Sequence, residues 1–130
     1  MINKLLLLGL GGAIGAISRF LISEFIQQMH NGSFPFGTLL VNLAGALIIG
    51  FAWGFFETSG LGTNMRLFLF VGILGGFTTF SAFSLETMNL IRDHRVFYAI
   101  AYILSSNIGG LMMTIAGFFA ARILFVFFTK

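Results

Sequence analysis

Charged side chains are so sparse along this chain that they mark the few places where it can meet water. They stand at Lys4, Arg19, Glu24, Glu57, Arg66, Glu86, Arg92, Asp93, Arg95, Arg122 and Lys130, and the stretches between them are apolar. About 20 residues rising about 1.5 Å each cross a hydrocarbon core about 30 Å thick. The spacing predicts an all-α membrane protein with four transmembrane helices, roughly 4–28, 37–57, 65–92 and 95–127, in one domain covering 1–130. Between them, 29–36 and 58–64 read as polar Gly-containing loops, and Arg92-Asp93-His94-Arg95 reads as a tight charged hairpin.

Composition agrees with that reading and excludes others. Hydrophobic residues make up 58% of the chain and charged ones 8%, against about 25% charged in an ordinary soluble domain. A net charge of +3 with no basic run gives nothing to track phosphates, so a nucleic-acid partner is not expected. With no cysteine there is no disulfide, thiolate metal site or thiol nucleophile. A cleaved signal peptide is not expected, because Arg19 interrupts the first apolar run and no small-residue cleavage site follows. Runs such as Leu5-Leu6-Leu7-Leu8 lack the alternation of a membrane β-barrel.

The basic residues divide almost evenly between the two sides of a four-helix topology. Lys4, Arg66, Arg122 and Lys130 fall on one side, and Arg92 and Arg95 on the other, joined by Arg19 if it snorkels to its nearer helix end. Such a weak bias sets no firm orientation. It suits ordinary sparse charge, and it equally suits a chain that inserts both ways and pairs with an inverted copy of itself. Four helices are also few to enclose a polar path, which favours a homodimer.

Three GxxxG pairs, Gly11/Gly15, Gly50/Gly54 and Gly72/Gly76, predict close helix contacts. In lipid, close backbone approach and dispersion supply what the hydrophobic effect cannot. Beyond the third pair the chain reads Gly75-Gly76-Phe77-Thr78-Thr79-Phe80-Ser81-Ala82-Phe83-Ser84. Glycines and hydroxyl residues weaken a helix, so a break is expected in mid-span, where it must be buried or face water. The plainer alternative is an intact helix whose hydroxyls bond their own i−4 carbonyls.

Other polar groups are few. Asn42 lies early in the second helix, where its amide must find a partner and can donate to an anion. Tyr102, Ser106, Gly110 and Thr114 recur every fourth residue and form one stripe about 18 Å long. Phe80 and Phe83 share a helix face, and their positive ring edges can face an anion, although such pairs usually serve packing. No catalytic constellation is present: His30 and His94 lie in loops without a second zinc ligand, and no serine has a His/Asp partnership. An enzyme is not expected. Glu86 is the one acid near mid-depth, and its role stays open.

The segments Gly37-Thr38-Leu39-Leu40-Val41-Asn42-Leu43-Ala44-Gly45 and 75–84, in this order and spacing, closely resemble those of the Fluc fluoride channels, also called the CrcB family. Arg19, the chain length and the four-helix plan extend the resemblance over essentially the whole sequence. It implies an antiparallel dual-topology homodimer in the bacterial inner membrane. Two fluoride pathways would run along its subunit interface, with a structural sodium ion at its centre. By motif position, Asn42 resembles the pore asparagine, and Phe80 and Phe83 the two anion-lining aromatics, with Ser81 and Ser84 beside them. Gly75 and Thr78 match the sodium-holding carbonyls; Tyr102, Ser106 and Thr114 the polar track; Arg19 a basic vestibule residue. Gly110 departs from the pattern, standing where a track hydroxyl is common. The competing expectations are a small multidrug exporter, for which 5–18 lacks the needed carboxylate, and a membrane scaffold subunit.

Overall fold

A computed structural model describes residues 1–128, in which all regular structure is helical. The order is α1 (Ile2–His30), α2 (Phe36–Ser59), α3 (Thr63–Arg66), a π-helical stretch (Leu67–Leu74), α4 (Gly75–Phe77), α5 (Phe80–Arg92) and α6 (Val96–Phe128). Four stretches are long and apolar enough to cross a membrane: Ile2–His30, Phe36–Glu57, Thr63–Arg92 and Val96–Phe127. Each lies within a few residues of its sequence-predicted span. The chain is a multi-pass membrane protein.

Local chemistry sets the ends. α1 stops where Asn31 turns left-handed, at φ 33°, a conformation asparagine tolerates better than most residues. α2 begins after Pro35 and closes on Gly60, whose φ of 69° lets its amide return to the Phe56 carbonyl at 3.2 Å. The charged hairpin after α5 turns through His94, at φ 58°, and the Arg95 amide donates to Leu90 O at 2.8 Å.

Two glycine seams hold the spans together. A Cβ on Gly11 would lie 3.0 Å from Gly72 Cα, and one on Gly76 would lie 2.6 Å from Gly12 O. Gly15 likewise faces the Ile73 carbonyl, so α1 and the third span touch backbone to backbone. On the other seam Gly50 faces the Thr114 carbonyl, Gly117 faces the Leu47 carbonyl, and a Cβ on Gly54 would lie 2.7 Å from Phe118 O. All three GxxxG pairs thus serve packing within the chain, as small residues do between helices in lipid.

Leu39, Phe83, Leu90, Ala99 and Tyr102 form a buried cluster where α2, α5 and α6 meet, with Phe34 and Leu43 packed on it. Phe34 belongs to the first loop, yet its ring meets Tyr102 edge-on at 5.6 Å. Both ends of the bundle carry charge. Arg122 pairs with Glu57 at 2.7 Å and lies over the Phe118 ring, while Arg66 lies over Trp53. Trp and Arg at a helix end suit the membrane–water boundary. Lys130, counted on this side in the sequence, lies outside the described residues.

Candidate functional site

The third span bends at Thr78 and Thr79, whose backbones are extended (φ/ψ −85°/152° and −147°/119°), and helix resumes at Phe80. The bend reassigns hydrogen bonds. In an uninterrupted helix the Thr79 amide would donate to the Gly75 carbonyl; here it donates to Asn42 Oδ1 at 2.8 Å. Asn42 Nδ2 returns a bond to the Thr79 carbonyl at 3.0 Å, so one side chain from α2 grips both polar groups of one residue. The Ala82 amide would similarly donate to the Thr78 carbonyl; it donates instead to Thr79 Oγ1, the N-cap of α5, at 3.1 Å. The carbonyls of Gly75 and Thr78 have therefore both lost their helical donors. Gly76 O, the carbonyl between them, accepts from Arg19 Nε of α1 at 3.2 Å.

Beside the bend lies a cavity of about 320 Å³ lined by Asn42, Thr78, Phe80, Phe83, Ser106 and Thr114, among others. Side chains from α2, the third span and α6 thus converge on one space. Ser106 belongs to the cavity wall, and its Oγ is buried without a hydrogen-bond partner. A buried hydroxyl left unmatched costs roughly 1–3 kcal/mol, which favours an occupant able to accept a hydrogen bond from it. Phe80 and Phe83 stand with ring centroids 5.5 Å apart and planes at 46°. Their burial differs: Phe80 is 77% exposed on the single chain, whereas Phe83 is 8% exposed and packs against Tyr102 at 5.1 Å. A larger cavity of about 470 Å³ is lined by Trp53, Phe70, Ile115, Phe118 and other apolar residues, with Thr114 the hydroxyl it shares. It has little with which to recognise an ion.

Other residues singled out from the sequence lie outside the main cavity. Ser81 Oγ lies 3.2 Å from Thr79 Oγ1, and Ser84 donates to the Phe80 carbonyl at 2.9 Å. Ser84 bonds a carbonyl four residues back, as expected of a hydroxyl in an intact helix, and so do two residues of the cavity wall, Thr114 on α6 and Thr78 at the bend itself. The carbonyl receiving Thr114 belongs to Gly110, so the position without a hydroxyl takes part through its backbone. Tyr102 is fully buried and turned away from the cavity. Its hydroxyl donates to Glu86 Oε2 at 2.6 Å, while Thr38 donates to Oε1, also at 2.6 Å. Both Glu86 oxygens are thereby matched.

Sequence reasoning gave no role to two participants. Thr38 holds Glu86, and Thr79 is both the residue gripped by Asn42 and a helix cap. Only Thr79 had a local signal, as a threonine three residues ahead of a helical amide.

Comparison with known proteins matches the sequence to one family over most of its length. The family described as CrcB-like protein, Camphor Resistance (CrcB), matches residues 6–118. A protein of Parabacteroides distasonis, named fluoride-specific ion channel FluC, is 46% identical over 114 residues, covering 88% of this chain and 89% of its own. Proteins of the same name from Clostridium perfringens and Chlorobium phaeobacteroides are 45% identical over 121 residues and 44% over 120. Each of those alignments covers 92% of this chain, and 94% and 93% of the respective relative. The glycine seams, the bend and the residues around it all fall inside the matched region, and the chain belongs to the CrcB-like family.

Proposed function

We propose that this chain is the subunit of a fluoride channel that lets the anion leave the cytoplasm passively, down its electrochemical gradient. The observation that carries the reading is the buried, unpartnered hydroxyl of Ser106, in the wall of a cavity that Asn42, Phe80 and Phe83 also line. The family's members named as fluoride-specific channels supply the identity of the ion.

Fluoride is small and strongly hydrated, so its path must replace water's hydrogen bonds without trapping the ion. Ser106 Oγ–H is one donor; the Asn42 NH₂ has a second N–H beyond the one spent on Thr79. The ring edges of Phe80 and Phe83 add weak positive potential. No formal charge stands among the cavity's lining residues, which suits conduction, since sites must be favourable enough to enter and weak enough to leave. Thr114 contributes its hydroxyl proton only by turning from Gly110 O.

The reading extends to the assembly. Phe80 and much of the apolar surface of the spans face outward on the single chain, consistent with an antiparallel homodimer in a bacterial inner membrane, carrying two pathways. The bend serves there as the break in the third helix. The freed carbonyls of Gly75 and Thr78 are neutral, hard oxygen donors of the kind that suits sodium, and a second copy would double the set. When bound, the ion supplies positive charge near the anion paths.

Purified protein reconstituted in liposomes loaded with fluoride is expected to release it rapidly when a potassium ionophore supplies the counter-current, and to stall without one. Efflux no faster than from empty liposomes, with folded dimer present, would overturn the channel reading. Because the chain lacks cysteine, a single cysteine at the N-terminus reports orientation cleanly. It is expected to react with membrane-impermeant reagent from both sides; labelling from one side alone excludes the inverted dimer.

A further inference from the structure

Arg19 is the charged residue farthest from either end of α1, at a depth where an ionised side chain is costly and usually has a specific task. Among the described residues it pairs with no acid. Its Nε donates to the carbonyl of Gly76, 57 positions along the chain and two residues before the bend. The glycine seam makes that reach possible: Gly12 and Gly15 bring α1 against Gly76, Ile73 and Phe77, and Arg19 follows Gly15 by one helical turn.

We propose that Arg19 is a positioning residue for the bend, acting through its Nε–H donor rather than through its charge. The Gly76 carbonyl would have the Phe80 amide as donor in an uninterrupted helix, and Arg19 occupies it from the side. With Asn42 occupying the Thr79 amide from α2, two neighbouring spans hold the reassigned backbone groups open. The flanking carbonyls of Gly75 and Thr78 keep their direction because Gly76 between them is tethered. A cation there also sits favourably at the C-terminal end of the helical run from Thr63 to Phe77.

Side-chain length separates donor from charge. Glutamine carries an N–H at the same bond count from the backbone as Arg Nε, without charge. Lysine keeps the charge but places a methylene at that position, and methionine supplies neither. Arg19→Gln is expected to retain fluoride efflux within about threefold of wild type, while Arg19→Lys and Arg19→Met fall at least about tenfold. The fall should persist at high fluoride and high ionic strength, where attraction of anions to a charged mouth is screened.

The flux arm rests on the channel reading; amide hydrogen exchange across 77–82 in the intact reconstituted protein does not. Exchange there is expected to quicken at least about tenfold in the Lys and Met variants, and to stay near wild type in the Gln variant. Lys behaving as wild type while Gln behaves as Met would overturn the proposal in favour of charge. Unchanged exchange in the Met variant would overturn it too. A wild-type protein that passes no fluoride sinks the channel reading alone, and the exchange pattern then decides the role of Arg19.

Discussion

Phe80→Ile is expected to leave a folded dimer that conducts fluoride at least about tenfold more slowly. The exposure of Phe80 on the single chain, 77%, makes this the cleaner of the two aromatic tests. Isoleucine keeps the side chain apolar and of similar bulk, a change that costs under about 1.5 kcal/mol even in a well-packed core. What it removes is the ring's positive edge. Phe83→Ile is expected to slow flux as well, but with a lower unfolding temperature, because Phe83 is packed against Tyr102 within the buried cluster. Efflux from reconstituted variants, normalised to folded dimer, makes the comparison. Wild-type flux in Phe80→Ile would return that ring to a packing role.

A larger loss is expected at Asn42. Truncation to alanine strips two hydrogen bonds from Thr79 at once, its amide at 2.8 Å and its carbonyl at 3.0 Å. Leaving such groups unmatched costs roughly 1–3 kcal/mol each where water is excluded, and this pair is only partly buried. A destabilisation of about 2 kcal/mol is therefore expected by chemical or thermal unfolding, with flux down at least about hundredfold. Asn42→Asp sharpens the test: it keeps an acceptor for the Thr79 amide but turns an anionic oxygen toward the Thr79 carbonyl. It should conduct no better than alanine. Normal flux in either variant would show that neither the grip on the bend nor the amide donor matters to conduction.

The spans were legible because their cause is local: a charge or a Gly-rich loop ends each run, and no partner is needed to read it. The weakness of 75–84 was legible for the same reason. Its outcome was not, because two residues of extended backbone at Thr78 and Thr79 are held by Asn42, which comes 37 positions earlier. Periodicity put Tyr102, Ser106 and Thr114 on one stripe, but a stripe does not say what each residue meets. Tyr102 meets Glu86, and Ser106 meets the cavity. Glu86 itself stayed open in the sequence since both its partners, Thr38 and Tyr102, lie on other spans. Phe34 read as loop and packs as core, because a loop's polarity says nothing about one ring folding back over a helix end.

The glycine seams have a consequence for how the protein is made. They join the first span to the third and the second to the fourth, while Gly37 separately sets the start of α2 against the Ser23 carbonyl of α1. A ribosome delivers the spans in order, so α1 enters the membrane before the segment that matches its glycines exists, and α2 must wait for the last span of all. Until α6 arrives, the backbone faces around Gly50 and Gly54 have only lipid against them. A nascent chain halted after three spans would hold one finished seam and one open one. The second seam therefore closes only once the final helix is in place.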